Sequence, residues 1–138
     1  MSDDQAVKAT LTSYYQAIGS HEFGAIPEHF ADSMTIVTLS GSQTVTGRGE
    51  IADLYRNLWE TWSAKGISTE MGYSEDEFVV LPVQANCKLA KTQLSSFDFD
   101  GNLLQTWNCT YVMVKDGDNW LISLATSDNE ASADWQYR

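Results

Sequence analysis

A chain of 138 residues that is 43% hydrophobic and 12% aromatic has the length of one domain and the material for a real core, which excludes a disordered chain. Folding at this length buries roughly 70% of the surface the unfolded form exposes, so no staples are required. Eight Lys and Arg against nineteen Asp and Glu give a formal charge of −11, which sets aside nucleic acid and anionic membrane, since both are bound through cationic side chains.

The opening residues, "MSDDQAV", have neither a cationic start nor an apolar run, so they do not read as a secretory signal. No stretch approaches the length of a membrane span, and the cytoplasm is the expected compartment. Ser2 and Gln5 have the spacing of a capping box, and Val7, Leu11, Tyr14, Tyr15 and Ile18 recur at helical intervals until Gly19 can end a first helix. Phe23, Ile26 and Phe30 follow around Pro27, which favours a brief second helix. From Met34 the stretch "MTIVTLSGSQTVT" is β-branched with Gly41 between two runs, the pattern of a hairpin. Ile51, Leu54, Tyr55, Leu58 and Trp62 keep a 3.6-residue period behind Glu50, with Lys65 and Gly66 closing a third helix.

The remaining half reads as strands over residues 68–81, 87–99, 103–115 and 119–126. Their joints are residues 82–86, Asp100-Gly101 and residues 116–118, all turn chemistry. Helices first and strands afterwards predict an α+β fold, with three N-terminal helices covering one face of a twisted antiparallel sheet. The domain is expected over residues 1–128, with a C-terminal tail over 129–138 that Trp135 and Tyr137 dock against the body or a second subunit.

Two glycines around Arg48 invite comparison with a phosphate loop, but the lysine of a Walker loop and the third glycine of a dinucleotide loop are both missing. Gly47 and Gly49 are therefore expected to turn the chain into the third helix, with Arg48 a solvent or edge contact. Cys87 and Cys109 fall too far apart along paired strands for a disulfide, so both are expected as buried free thiols. Two histidines eight residues apart, with no close cysteine pair, supply no metal site.

The order of helix, short helix, "HFADSMTIV", hairpin, "GRGEIADLY" and strands ending "NWLISLATSD" resembles the nuclear-transport-factor-2-like superfamily, over about residues 5–128. Ketosteroid isomerase and the SnoaL-like polyketide cyclases are among its members. The resemblance implies a cone-shaped, cystatin-like fold: a strongly curved antiparallel or mixed sheet closed by helices around an apolar cavity. It also implies a homodimer through the outer face of the sheet.

Against ketosteroid isomerase, the carbonyl-polarising tyrosine falls on Tyr14 and a supporting tyrosine on Tyr55. The catalytic base falls on Thr38, which has no useful basicity, and the protonated acid falls near Tyr111. If Tyr111 faces inward, alternation sends Gln105, Trp107, Cys109 and Met113 inward too, and these face an aromatic wall with polar handles or an ordinary core. The expected ligand-binding set is Tyr14, Tyr55, Trp62, Trp107, Cys109 and Tyr111. Asp128, which the resemblance puts near the mouth of the cone, is the candidate general base; His29, on the short second helix, is a candidate partner acid or base, and Tyr14 or Tyr111 is the candidate to polarise oxygen.

Two functions follow from these residues, beside a third possibility, a structural dimer with a filled core. One is a module that holds a small, mainly apolar molecule without a cofactor. The other is a cofactor-independent isomerase, dehydratase, cyclase or hydrolase working by acid/base chemistry on such a molecule.

Overall fold

In the computed structural model of the chain, the described residues are 1–38 and 41–128. Ser2 caps helix α1, Asp3–Gly19, by accepting from the Gln5 amide at 3.2 Å while the Gln5 side chain accepts from the Ser2 amide at 2.9 Å. The stripe Val7, Leu11, Tyr14, Tyr15 and Ile18 is buried as its period requires. The segment around Pro27 is a single 3-10 turn, Ile26–His29, so two α-helices rather than three cover the sheet. Four residues before the extended Phe30 leave no room for a further turn.

Strand β1, Phe30–Thr38, begins four residues earlier than the β-branched run, and β2, Gly41–Thr46, pairs antiparallel with it. Helix α2 spans Arg48–Ala64, and the strands β3 (Val79–Gln84), β4 (Cys87–Phe97), β5 (Leu103–Asp116) and β6 (Asn119–Ser127) complete one sheet. The strand order is β2-β1-β6-β5-β4-β3. β1 runs parallel to β6 and all other neighbours are antiparallel, so the sheet is mixed.

Of the long strand expected over 68–81, only residues 79–81 form, as the start of β3, and residues 68–78 do not. Only isolated bridges Ile67 to Asp98 and Gly72 to Ser95 tie this segment to the sheet, followed by a 3-10 turn at Glu75–Glu77. The physical reason lies in the acidic run Glu75, Asp76, Glu77, which has no apolar alternation to bury. Pro82, expected in a joint, sits inside β3 opposite Lys88, which is permitted because β3 is the sheet's edge.

Cys109 lies opposite Thr92 and Cys87 opposite Val114, so the two thiols are free; Cys109 is buried but Cys87 is only half-buried. Among the described residues, no helix is long and apolar enough to cross a membrane. The expected tail at 129–138 lies outside the described residues.

Gly47 answers the question its neighbourhood raises. It has φ 92° and ψ 152°, a region only glycine occupies comfortably, and its amide donates to the Asp32 carbonyl at 2.9 Å as the chain turns into α2. Arg48 is exposed and pairs with Glu28 at 3.5 Å. Gly49 lies inside α2, and a methyl group there would meet open space. Gly47→Ala is therefore expected to destabilise by about 1–3 kcal/mol, whereas Gly49→Ala leaves stability unchanged or raises it by up to about 1 kcal/mol. Urea melts of the two variants check the opposite signs.

Candidate functional site

Between α1, α2 and the inner face of the sheet lies a hollow of about 60 Å³. All six residues expected to line a ligand site border it: Tyr14 from α1, Tyr55 and Trp62 from α2, and Trp107, Cys109 and Tyr111 from β5. The alternation of β5 produces the last three, since Trp107, Cys109, Tyr111 and Met113 are buried while Asn108 between them is exposed. Ile18, Ile36, Leu58, Met71 and Leu94 supply the apolar remainder of the wall. Among the described residues that line the hollow there is no Asp, Glu, Lys, Arg or His.

The tyrosine hydroxyls at the wall are held in two sets, and Thr38, Thr126 and Ser127 also border the hollow. Tyr14 and Tyr55 share a hydrogen bond between their hydroxyls at 2.5 Å, with their rings crossed at 88°. The Tyr15 hydroxyl bonds both Thr92 Oγ1 and the Tyr111 hydroxyl, each at 2.7 Å. Tyr15 and Thr92 were not foreseen as part of this arrangement. The signal was available: adjacent tyrosines on one buried helical stripe both need partners, and Thr92 faces inward opposite Cys109.

Burial holds the phenols protonated. It pushes the Tyr14 hydroxyl well above its ordinary value, helped by the neighbouring Tyr55, and raises Tyr55 as well, while the hydrogen bond from Tyr14 acts the other way. Burial likewise raises Tyr15 and Tyr111, with Cys109 adding to both. The Cys109 thiol is pushed up to about 11 by burial, against hydrogen bonds from Tyr111, Ser127 and Trp107 that favour the thiolate. A thiol in this state is a poor nucleophile near neutral pH.

These raised values have a sign for stability. The folded state holds protons that the unfolded chain releases, so the contribution is complete below the unfolded values, 9.0 for the thiol and 10.0 for the phenols, and is lost as pH rises beyond them. Stability is expected to fall above about pH 9. In an ultraviolet titration of the folded protein, Tyr14, Tyr15, Tyr55 and Tyr111 should not ionise at pH 11 until the chain unfolds; four phenolate signals appearing before the loss of circular dichroism would contradict the assignment.

The two candidate proton carriers are not among the residues bordering the hollow. Asp128 is exposed, and its carboxylate accepts from the Asn108 amide at 2.8 Å and from the Asn108 side chain at 3.3 Å. Asn108 points to the outer face of β5, so this bond draws Asp128 to the side of the sheet away from the tyrosines. The His29 ring packs 6.2 Å from that of Tyr14, yet Nδ1–H donates to the Ile26 carbonyl at 3.1 Å and Nε2 bonds the Ser13 hydroxyl at 2.8 Å. Thr38, in the position of the isomerase base, does border the hollow. Among the described residues, no group of three or more His, Cys, Asp or Glu could hold a metal ion.

The family described as NTF2-like protein (DUF6841) matches residues 3–130. No curated protein matches the chain in sequence. Among solved structures, a protein of unknown function with a cystatin-like fold from Nostoc punctiforme superposes with a TM-score of 0.75 at 12% identity, covering 91% of this chain and 90% of the other. An NTF2-like protein with a cystatin-like fold from Novosphingobium aromaticivorans gives 0.73 at 14% identity, covering 96% and 88%. A ketosteroid isomerase-like protein from Erwinia carotovora atroseptica gives 0.68 at 14% identity, covering 90% and 93%. At these identities the likeness is one of fold.

Proposed function

The chain belongs to the NTF2-like protein family DUF6841, and from that premise we propose that the domain binds a small, mainly apolar, uncharged molecule in the hollow bounded by Tyr14, Tyr55, Trp62, Trp107, Cys109 and Tyr111. The observation that carries this reading is the make-up of the wall: aromatic and aliphatic side chains, protonated hydroxyls, and no charged residue among the described ones. Such a wall pays no desolvation penalty toward an apolar guest, whereas an unpaired ion would lose several kcal/mol or more on entering it.

The reading takes the sheet as wrapped into a cone around the hollow. Register breaks in the pairings of β1 with β6, β3 with β4, β4 with β5, and β5 with β6 support it, because bulges bend strands and increase their twist. A void of 60 Å³ is smaller than the ~150 Å³ that admits benzene in an engineered core, so an aromatic guest enters only as the wall opens. The same reading takes the protein as a cytoplasmic homodimer. The register places Leu81, Leu89, Val112 and Leu124 in one row across the sheet, alternating with the inward residues, and this is the face a second copy would cover.

A cofactor-independent acid/base enzyme is the second reading, supported by the hydrogen-bonded Tyr14 and Tyr55 pair, which has the chemistry to polarise a carbonyl. It requires Asp128 or His29 to reach the hollow, and their bonds to Asn108, Ser13 and Ile26 weigh against that.

Titration of isotope-labelled protein with phenol, cyclohexanone and acetophenone tests the binding reading. Saturable shifts are expected at the methyl groups of Ile18, Ile36, Leu58, Met71 and Leu94. Shifts confined to surface residues, or none with any probe, would remove it.

A further inference from the structure

The Trp62 indole is 3% exposed and borders the hollow, yet its Nε1–H has no hydrogen-bond partner among the described residues. Trp62 meets Trp107 edge-on, with ring centroids 6.1 Å apart and planes at 83°, which offers the N–H at most a π face, a weaker acceptor than oxygen. The tyrosine hydroxyls and the thiol at the wall already make hydrogen bonds of their own. A buried donor left unmade is costly, and the indole N–H can only donate.

We infer that the natural ligand carries an uncharged acceptor oxygen, of the ketone, ester or ether class, and that Trp62 Nε1–H is the group that fixes its orientation. The inference rests on the binding reading above and deepens it by naming the ligand's polar end. An alcohol hydroxyl also accepts, but its own proton would then compete for tyrosine oxygens already bonded, those of Tyr14 with Tyr55 and of Tyr15 with Tyr111. A carboxylate would bring a charge that no lining residue neutralises among those described. The remainder of the guest lies against Leu58, Leu94 and the Trp107 ring, which accept apolar surface without further polar demands.

The test compares acetophenone with α-methylstyrene, which has nearly the same shape and replaces the carbonyl by a carbon–carbon double bond, on the wild-type protein and on Trp62→Phe. The wild type is expected to prefer acetophenone by roughly fivefold or more, the worth of one hydrogen bond. In Trp62→Phe the preference disappears while α-methylstyrene binds about as before. The indole ¹H–¹⁵N signal of Trp62 in the wild type gives a second readout that does not depend on the variant folding: it should move downfield with acetophenone and not with α-methylstyrene. Binding of both probes in the hollow without preference, a preference that survives in Trp62→Phe, or an indole signal indifferent to the carbonyl would overturn the role of Trp62 and leave the binding reading intact. Failure of both probes to reach the hollow would overturn the two together.

Discussion

Trp120→Ala is expected to lower the unfolding free energy by about 3–5 kcal/mol, the largest single-residue loss in the described part of the chain. Trp120 is 2% exposed on β6, and removing it does more than leave a void. Its Nε1–H donates to Asp3 at 3.2 Å, and Lys88 and Lys115 each lie 5.9 Å from the ring centre. Lys115 pairs with Asp3 and Lys88 with Asp4, so the indole stands at the centre of the contacts that seat the first turn of α1 on β4, β5 and β6. Thr10 adds a bond to the Trp120 carbonyl at 2.9 Å, which the variant retains. A loss of this size is a large fraction of the ~5–15 kcal/mol that holds a domain of this kind together. Chemical denaturation measures it. The Asp3 carboxyl supplies a local check, since the hydrogen bond from Trp120 is the chief cause holding it below its ordinary range and the variant should let it rise. A variant as stable as the wild type would mean that α1 is seated elsewhere.

Tyr15→Phe comes second. It removes one oxygen but deprives two buried hydroxyls, those of Thr92 and Tyr111, of the group they share. Each hydroxyl that finds no new partner costs about 1–3 kcal/mol. Tyr111→Phe leaves Tyr15 still bonded to Thr92, so it should cost less. The double variant should cost less than the sum of the singles, because the second change removes a group already deprived. Urea melts of the three variants decide the point; equal losses that simply add would show that the bonds are independent and replaced by water.

The sequence made α1 and α2 readable because their apolar stripes are uninterrupted and their ends carry chemistry: Ser2 with Gln5 at one start, Gly47 at the other. The inward set of β5 was readable for a similar reason, a strict period of two from Trp107 to Met113. Residues 68–78 were not readable as they are. The segment has enough apolar residues to look like a strand, but its single bridges depend on the Phe97 and Ser95 carbonyls, which accept from Ser68 and Gly72 and lie more than twenty residues away, where no local pattern reveals them. The parallel pairing of β1 with β6 is non-local in the same sense.

The lining of the hollow followed from faces of helices and strands, which periodicity defines, together with the family resemblance that put Tyr14, Tyr55 and Tyr111 at a site. Who bonds whom inside it did not, because hydroxyl partners are set by three-dimensional register. Asp128 illustrates the limit: its position at a strand end was legible, but whether its carboxylate turns inward or takes Asn108 on the outer face was decided by a contact twenty residues away.

The central claim, that the hollow receives a neutral guest because its wall carries no charge, is tested most directly by calorimetric titration with acetophenone and with benzoate, a matched pair of similar shape. The account predicts saturable binding of acetophenone at one site per chain and binding of benzoate weaker by about a hundredfold or more, the consequence of moving an unpaired carboxylate out of water. Benzoate binding as tightly as acetophenone, at the same site, would contradict it.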